Sequence, residues 1–412
     1  MMQMFRKGLV WFGLGTGVVA FLWSPAGATM APIFGPKQFT RSTGAPQEFT
    51  ETFQNCETRA QYKLVVVNGG PDGSNRVSSA SITLNGTEIV GPRDFNQQVA
   101  RIERPISVVA SNGLQVRLAS RPGSFLTVSV ECTGNCLDVQ ITSPIPNSVI
   151  NRSKTLVVGR VTSTADEVGV TANGVVAQAQ EGQFAAPSVP LALGPNSLTV
   201  TATNSCRNKA AFSISVTVAQ FDDPPVFLSV LPSGGIAPLT VALRAEAAIQ
   251  RPVASFAWDF TGSGNLEISG PTLSQVQHTY DQAGLFLPRV VVTDAQGRQF
   301  SQTSVVSVFS LPRIDTLLKG KWRNLKAALA NGDIEGALSL FHTAASGKYA
   351  RVFNDLKGDL PRIISSLGDL TLVSLRGGVA EYATTRHQEG QDFAYFLYFL
   401  PDEEGLWKIV SM

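Results

Sequence analysis

Three histidines and six tyrosines are the side chains of this 412-residue chain best suited to acid–base chemistry. Six of these residues fall in the last hundred positions, and four of the six define a candidate pocket: His342, Tyr349, Tyr382 and His387. Asp369 or Asp392 would orient a histidine there, although no spacing rule requires that arrangement. In a small domain such residues are more often half-buried packing residues, and we favour that interpretation.

The motifs that build common active sites are absent from the sequence. It contains no Gly-Xaa-Ser-Xaa-Gly nucleophile turn, no glycine-rich phosphate loop and no paired metal ligands. The sequence therefore predicts a protein that is not an enzyme and that has no catalytic residues, metal site or cofactor.

Four cysteines in a chain that we expect to be exported indicate two disulfides, and three pairings are open. Even-numbered strands of an antiparallel sandwich end at the same side, so we predict the pairs Cys56–Cys132 and Cys136–Cys206, one in each of the first two domains. The alternative joins Cys132 to Cys136 and leaves Cys56 to reach Cys206 across a domain boundary.

The N-terminus has the features of a cleaved signal peptide in residues 1–28. Arg6 and Lys7 precede the apolar stretch from Leu9 to Trp23, and Ala26-Gly27-Ala28 forms a small-residue cleavage site. An uncleaved anchor is the alternative, but about 15 apolar residues are fewer than the roughly 20 that span a bilayer. We expect a mature chain that starts at Thr29 and is periplasmic, on the cell surface or secreted.

The charge balance argues against nucleic acid as a partner. Of 33 basic and 31 acidic residues, the signal peptide removes two basic ones, which leaves 31 of each. Phosphate binding needs a basic face, and the only basic run, Lys319 to Lys326, is typical of a solvated helix face.

The length exceeds what one apolar core supports, and the strand patterns divide the chain into several domains. Residues 32–134 show eight strand-like segments, with Asn85-Gly86 and Asn112-Gly113 as hairpin turns, and predict an antiparallel β-sandwich. The loop from Val67 to Ala80 is either a plain turn or, through Asp72 and Asn75, a cation loop; we favour the turn. Together with Pro122 to Leu126, it resembles a sandwich module common in exported bacterial proteins.

Residues 136–219 form a second predicted sandwich. The segments ITSP, GRV, VTANGV and LALGPNSLTVTATNS follow one another with strand-like spacing. In this order they resemble bacterial Ig-like domains, which implies a spacer or an auxiliary binding module.

Residues 224–309 carry a more specific set of motifs. Phe256-Ala257-Trp258-Asp259-Phe260, His278-Thr279-Tyr280 and Val290 to Asp294 occur in an order that resembles a PKD domain. The resemblance implies a third sandwich with Trp258 in the core and Tyr280 fixing a turn. After Asp259 the loop has Thr261, Ser263 and Asn265 in place of carboxylates, so we expect a structural loop there, not a calcium site.

Residues 312–412 change to helical spacing and then to strands, which predicts an α+β domain. A first helix ends at Gly332, and Asp333 caps a second helix through Ala344. With GDIEGALSLF and GLWKIV, this order resembles the NTF2-like domains, whose cone-shaped fold implies a pocket between helices and sheet.

An aromatic run from Phe393 to Phe399 gives one strand two apolar faces. One face fills the core, and the other, with Phe396 and Tyr398, needs a cover. The sequence thus indicates association through the C-terminal sheet, for instance as a homodimer.

The sequence as a whole predicts a mostly β protein of three antiparallel sandwiches followed by an α+β domain. The predicted function is a noncatalytic extracytoplasmic scaffold or binding protein whose sandwich stalk presents a ligand-binding or dimerisation domain to envelope or extracellular proteins. One alternative is carbohydrate or surface-polymer binding by a sandwich, and another is an enzyme using the C-terminal pocket. An exposed aromatic platform would favour the carbohydrate alternative.

Overall fold

The computed structural model describes residues 29–57, 59–134, 136–388 and 390–412. The predicted signal peptide therefore lies outside the described residues. Within these ranges the fold is mostly β, with four apolar cores centred on successive stretches of the chain, as the fold-class prediction required. None of the helices described combines the length and apolar character needed to cross a membrane. We call the four cores and their surrounding elements modules 1 to 4.

Module 1 is a sandwich of two four-stranded sheets that follows a short initial strand, β1 (Thr29–Met30). Asn85 and Gly86 adopt positive φ at a tight hairpin, as predicted. The second predicted hairpin is wrong, because Asn112 and Gly113 lie inside a strand. The strands are β2 (Phe34–Thr40), β3 (Gln47–Gln54), β4 (Gln61–Asn68), β5 (Ala80–Leu84), β6 (Thr87–Val90), β7 (Arg101–Ile106), β8 (Ser111–Leu118) and β9 (Phe125–Gly134).

Module 2 is a second sandwich, and its larger sheet also includes β1. That strand pairs antiparallel with β17, with Thr29 opposite Ala211, so a segment that precedes module 1 in the sequence belongs to a sheet of module 2. The strands of module 2 are β10 (Asp138–Ser143), β11 (Lys154–Thr162), β12 (Val168–Ala172), β13 (Val175–Val176), β14 (Gln178–Gln180), β15 (Gln183–Pro190), β16 (Gly194–Asn204) and β17 (Lys209–Val218).

Module 3 contains the expected core tryptophan. Trp258 is fully buried, and the Tyr280 hydroxyl donates to the Phe260 carbonyl at 2.7 Å, which fixes the following turn. The strands are β18 (Val226–Leu231), β19 (Gly234–Ile236), β20 (Leu239–Ala247), β21 (Val253–Asp259), β22 (Ile268–Gly270), β23 (Gln275–Tyr280), β24 (Gly284–Phe286), β25 (Arg289–Asp294), β26 (Gln299–Thr303) and β27 (Val306–Phe309).

Module 4 packs four helices against an antiparallel sheet. Gly332 has positive φ after the first helix, and the Asp333 carboxylate accepts from the Gly336 N–H as an N-cap. The second helix is shorter than predicted, because it ends at Leu338 and a new helix starts at Thr343. The elements are α1 (Leu311–Ala330), α2 (Ile334–Leu338), α3 (Thr343–Asp355), α4 (Leu360–Ser365), β28 (Thr371–Arg376), β29 (Val379–Gln388), β30 (Gln391–Pro401) and β31 (Trp407–Ser411).

Modules 3 and 4 share one seven-stranded sheet in the order β24-β27-β19-β28-β29-β30-β31. The joint is short: Gly235 of β19 lies opposite Arg376 of β28, and the Gly377 N–H donates to the Gly234 carbonyl at 3.0 Å. The α+β domain therefore continues a sheet of the preceding sandwich.

The disulfide pairing corrects the prediction. Cys56 pairs with Cys206, with a Cα separation of 5.6 Å, and Cys132 pairs with Cys136, with a Cα separation of 5.9 Å. The predicted pairs treated the first two sandwiches as independent. In the structure Cys206 of module 2 approaches Cys56 of module 1 across the boundary, while Cys132 and Cys136 flank the short connection between the modules.

Candidate functional site

The two histidines of the predicted C-terminal pocket lie at the surface of module 4. His342 caps α3, where its Nδ1 accepts from the Ala344 N–H at 3.3 Å. His387 lies at the end of β29, with its Nδ1 2.8 Å from the Asp392 Oδ1, and both side chains are largely exposed. The histidine–carboxylate pair that catalysis would need is thus present, but in solvent, where water screens its electrostatic coupling.

The two tyrosines of that set belong to the core of module 4. The Tyr349 hydroxyl donates to the Met412 carbonyl at 2.9 Å and accepts from the Met412 N–H at 2.8 Å. The Tyr382 hydroxyl donates to Asp315 at 3.2 Å. Burial, with the Asp315 carboxylate as a second cause, raises the pKa of Tyr382 well above its usual value, so this hydroxyl stays protonated.

The predicted association residues differ in their surroundings. Phe396 is exposed on β30. The Tyr398 hydroxyl donates to the Glu381 Oε1 at 3.0 Å, and its backbone lies opposite Ser411 of β31. Phe396 therefore remains available to a partner, whereas Tyr398 is already engaged within the sheet.

A crevice of about 240 Å³ lies where modules 2, 3 and 4 meet. Its apolar lining includes Phe309, Leu317 and Trp407, and glycines of β19 and of the β28–β29 turn bring backbone to its surface. None of His342, Tyr349, Tyr382 or His387 lines it. The described residues thus place this cavity between modules, at a position that the sequence did not indicate.

Polar groups in the crevice have hydrogen-bonding capacity to spare. The buried Gln178 Oε1 has no hydrogen-bond partner among the described residues. Ser310 precedes α1 without a side-chain hydrogen bond to the helix. An exposed ion pair of 3.0 Å joins Arg313 to Glu181 in the lining. The crevice can therefore offer a hydroxyl and apolar surface to a small polar ligand, while the Gln178 Oε1 lies beneath its surface.

A buried carboxylate joins modules 2 and 4 beside the crevice. Glu167 Oε1 accepts from the Trp407 N–H and Glu167 Oε2 from the Lys321 ammonium, each at 2.6 Å, and both charged side chains are almost fully buried. Burial, with the Lys321 ammonium as a further cause, lowers the pKa of the neighbouring Lys408. Lys321 belongs to the basic run that we expected to be a solvated helix face. In the structure its side chain is instead buried in the ion pair with Glu167, so the expectation is wrong for this residue.

The backbones of these two modules also touch. Gly169 of β12 packs against the Glu404 carbonyl in the turn between β30 and β31, and a Cβ at position 169 would overlap that oxygen. No local sequence signal could have found this contact, because an acidic residue and a glycine around the start of a strand are typical of any sandwich turn.

The Asp259 loop uses its carboxylate internally. Asp259 is buried, and its two oxygens accept backbone N–H groups from Thr261, Gly262, Ser263 and Gly264. Across the part of the chain that the structure describes, no cluster of three or more histidine, cysteine, aspartate or glutamate side chains could hold a metal. The loop is thus held together by its own amides.

The PKD domain family matches residues 228–307. No curated protein matches the chain.

Similar solved structures include the fibronectin(III)-like modules of CbhA from Clostridium thermocellum, with 16% identity over 42% of this chain and 93% of that one and a TM-score of 0.17. The PKD1 domain of Vibrio anguillarum Epp has 21% identity over 22% of this chain and 99% of that one, with a TM-score of 0.17. Dimeric latent PorU from Porphyromonas gingivalis has 10% identity over 69% of this chain and 34% of that one, with a TM-score of 0.25.

Proposed function

We propose that the protein is a noncatalytic extracytoplasmic scaffold and binding protein, in which three sandwich modules hold an NTF2-like C-terminal domain in a fixed position. PKD-like and Ig-like modules and the two disulfides support a role outside the cytoplasm. Helices packed on one face of an antiparallel sheet support the NTF2-like assignment of module 4. Its partners would be envelope or extracellular proteins.

The buried Glu167 is the observation that carries this proposal. Burying a carboxylate and an ammonium is unfavourable unless both are held by good partners, and here the partners belong to different modules. Two modules joined only by a flexible linker would not need such a contact. The arrangement suits a scaffold that keeps its binding domain in one orientation.

The contact at Gly169 tests whether the orientation is fixed. We expect Gly169→Ala to push β12 away from the β30–β31 turn and to destabilise the junction by about 1–3 kcal/mol, because neither backbone can yield easily. Small-angle X-ray scattering should then show a larger radius of gyration than for the wild-type protein.

Gly320→Ala is the matched control. Gly320 lies inside α1 with open space around it, so an added methyl group should stabilise the helix by about 1 kcal/mol and leave the scattering unchanged. Wild-type scattering that fits freely jointed modules, or identical curves for the two variants, would contradict the fixed orientation.

The unpartnered Gln178 amide favours a second candidate function, the binding of a neutral hydroxyl-rich ligand such as a sugar unit of a surface polymer. A sugar hydroxyl would donate to Gln178 Oε1 once that buried side chain turns toward the crevice, while the apolar face of the sugar covers the aromatic lining. In calorimetric titrations with neutral mono- and disaccharides, we expect Gln178→Leu to weaken binding roughly tenfold, as the loss of one buried hydrogen bond predicts. Gln140→Leu, at an exposed position of β10 in the same module, should bind as the wild type does. Equal affinities for all three proteins would exclude this role.

A further inference from the structure

Strand β30 has one edge that is only partly used. On one side, β30 pairs with β29 from Gln391 to Phe399. On the other side, β31 pairs only with Tyr398 to Pro401. Among the described residues, the segment Gln391 to Leu397 has no backbone partner on the β31 side. These seven residues of β30 therefore form a free edge of the sheet.

The backbone groups on this edge follow from the hairpin. Gln388 lies opposite Gln391, with two residues between them in the sequence, so Gln388 and Gln391 form the hydrogen-bonded pair that closes the hairpin. Because hydrogen-bonded and non-hydrogen-bonded pairs alternate in an antiparallel ladder, Asp392, Ala394 and Phe396 direct their N–H and C=O groups to the open side.

The side chains along the edge are apolar and accessible. Phe393, Tyr395 and Phe396 are 44%, 40% and 47% exposed. Natural edge strands are usually protected by lysine, proline or a bulge, and the segment has none of these. Its one charged residue, Asp392, lies against His387 of the neighbouring strand. Such an edge is suited to pairing with another strand.

We propose that this edge pairs antiparallel with the same edge of a second copy of the chain, with the twofold axis at Ala394. Ala394 is the middle of the free segment, so this register uses all seven residues of each copy. It places Phe393 of each copy opposite Tyr395 of the other copy. Such aromatic cross-strand pairs stabilise a sheet. Asp392 meets Phe396 of the second copy, so no like charges face each other.

The inference deepens the proposed binding role of module 4 and names a second copy as its partner. It places the contact at the strand edge, not on the face that carries Tyr398. The orientation of the modules within one copy does not enter this argument. A monomeric protein would therefore leave the scaffold proposal and its scattering test intact.

Single-cysteine variants of the full-length protein test the register. All four native cysteines are in disulfides, so an added cysteine is the only free thiol. In the proposed dimer the two Ala394 Cα atoms lie about 5.5 Å apart, within reach of a disulfide. We expect Ala394→Cys to cross-link to a covalent dimer within minutes of mild oxidation at micromolar concentration.

Ala383→Cys is the control that separates edge pairing from face stacking. Ala383 lies on β29, one strand further in, so its two copies are at least about 14 Å apart in an edge-paired dimer and cannot cross-link. Sedimentation equilibrium of the wild-type protein should show a dimer at tens of micromolar. Cross-linking of Ala383→Cys alone would indicate stacked faces and overturn the proposal. Equal cross-linking of both variants, or of neither, with a monomeric wild type would overturn it as well.

Discussion

Two of the junctions between modules each contain one buried carboxylate. Glu57 is completely buried and accepts from the Leu137 N–H at 3.1 Å and from the Ser163 hydroxyl at 2.7 Å, which joins module 1 to module 2. Glu167 plays the same part between modules 2 and 4. In both cases the acceptor comes from one module and the donors from another. The Glu57 junction also contains the Cys56–Cys206 disulfide, and the Glu167 junction also contains the close contact of Gly169 with Glu404.

The lowered pKa of His278 predicts that module 3 loses stability in acid. The imidazole stacks on Phe260 with a centroid distance of 4.3 Å, and burial lowers its pKa below the usual 6.5, although Glu267 and Asp281 oppose this shift. As the pH falls below about 7, the unfolded chain binds this proton before the folded one does, so stability decreases through the window between 6.5 and the lowered pKa.

His278→Gln removes this titration. Urea unfolding at pH 7.5 and 5.5 should show that the wild-type protein loses more stability between the two conditions than the variant does. The variant's own loss of ring stacking is present at both pH values and cancels in this comparison. Equal losses in both proteins would mean that His278 does not contribute to the acid response.

Strands and helices were predictable wherever local chemistry decides the structure. Asn85-Gly86 forms its hairpin because both residues accept positive φ without strain. Asn112-Gly113 has the same chemistry, but the Asn112 side chain accepts from the Val109 N–H and donates to the Val109 carbonyl, which fixes it inside β8. Pairing of Asn112 with Phe53 and of Gly113 with Thr52 of β3 overrides the local turn preference there.

The cysteine pairing and the crevice show a second limit of sequence-based prediction. Cys132 lies opposite Tyr62, and the Tyr62 hydroxyl donates to Asn55 beside Cys56, so both cysteines lie near one end of module 1. Which cysteine comes within 5.6 Å of Cys56 depends on how two modules meet, and periodicity within each module contains no information on that. The same holds for Gln178, whose environment is created by three modules.

The two disulfides should contribute unequally to the stability of the whole molecule. Cys56–Cys206 spans 150 residues and Cys132–Cys136 only 4. From loop-closure entropy, removing the first should cost about 5 kcal/mol and removing the second about 2 kcal/mol. Guanidinium unfolding of the variants Cys56→Ser/Cys206→Ser and Cys132→Ser/Cys136→Ser would measure the difference. Similar losses in the two variants would show that the long loop is constrained by other contacts.

The pairing of β1 with β17 affects the order in which the chain can fold. A chain that emerges N-terminus first exposes Thr29–Met30 before either sandwich, yet the strand that they join, β17, ends at Val218. The disulfide of Cys56 likewise cannot form until Cys206 has emerged. Module 1 can form its own sheets once β9 has emerged to Gly134, but its outer attachments close only when β17, which ends at Val218, has emerged as well. The first two sandwiches therefore mature as one unit, and a chain interrupted between them would leave an unpaired strand and an unpaired thiol exposed together.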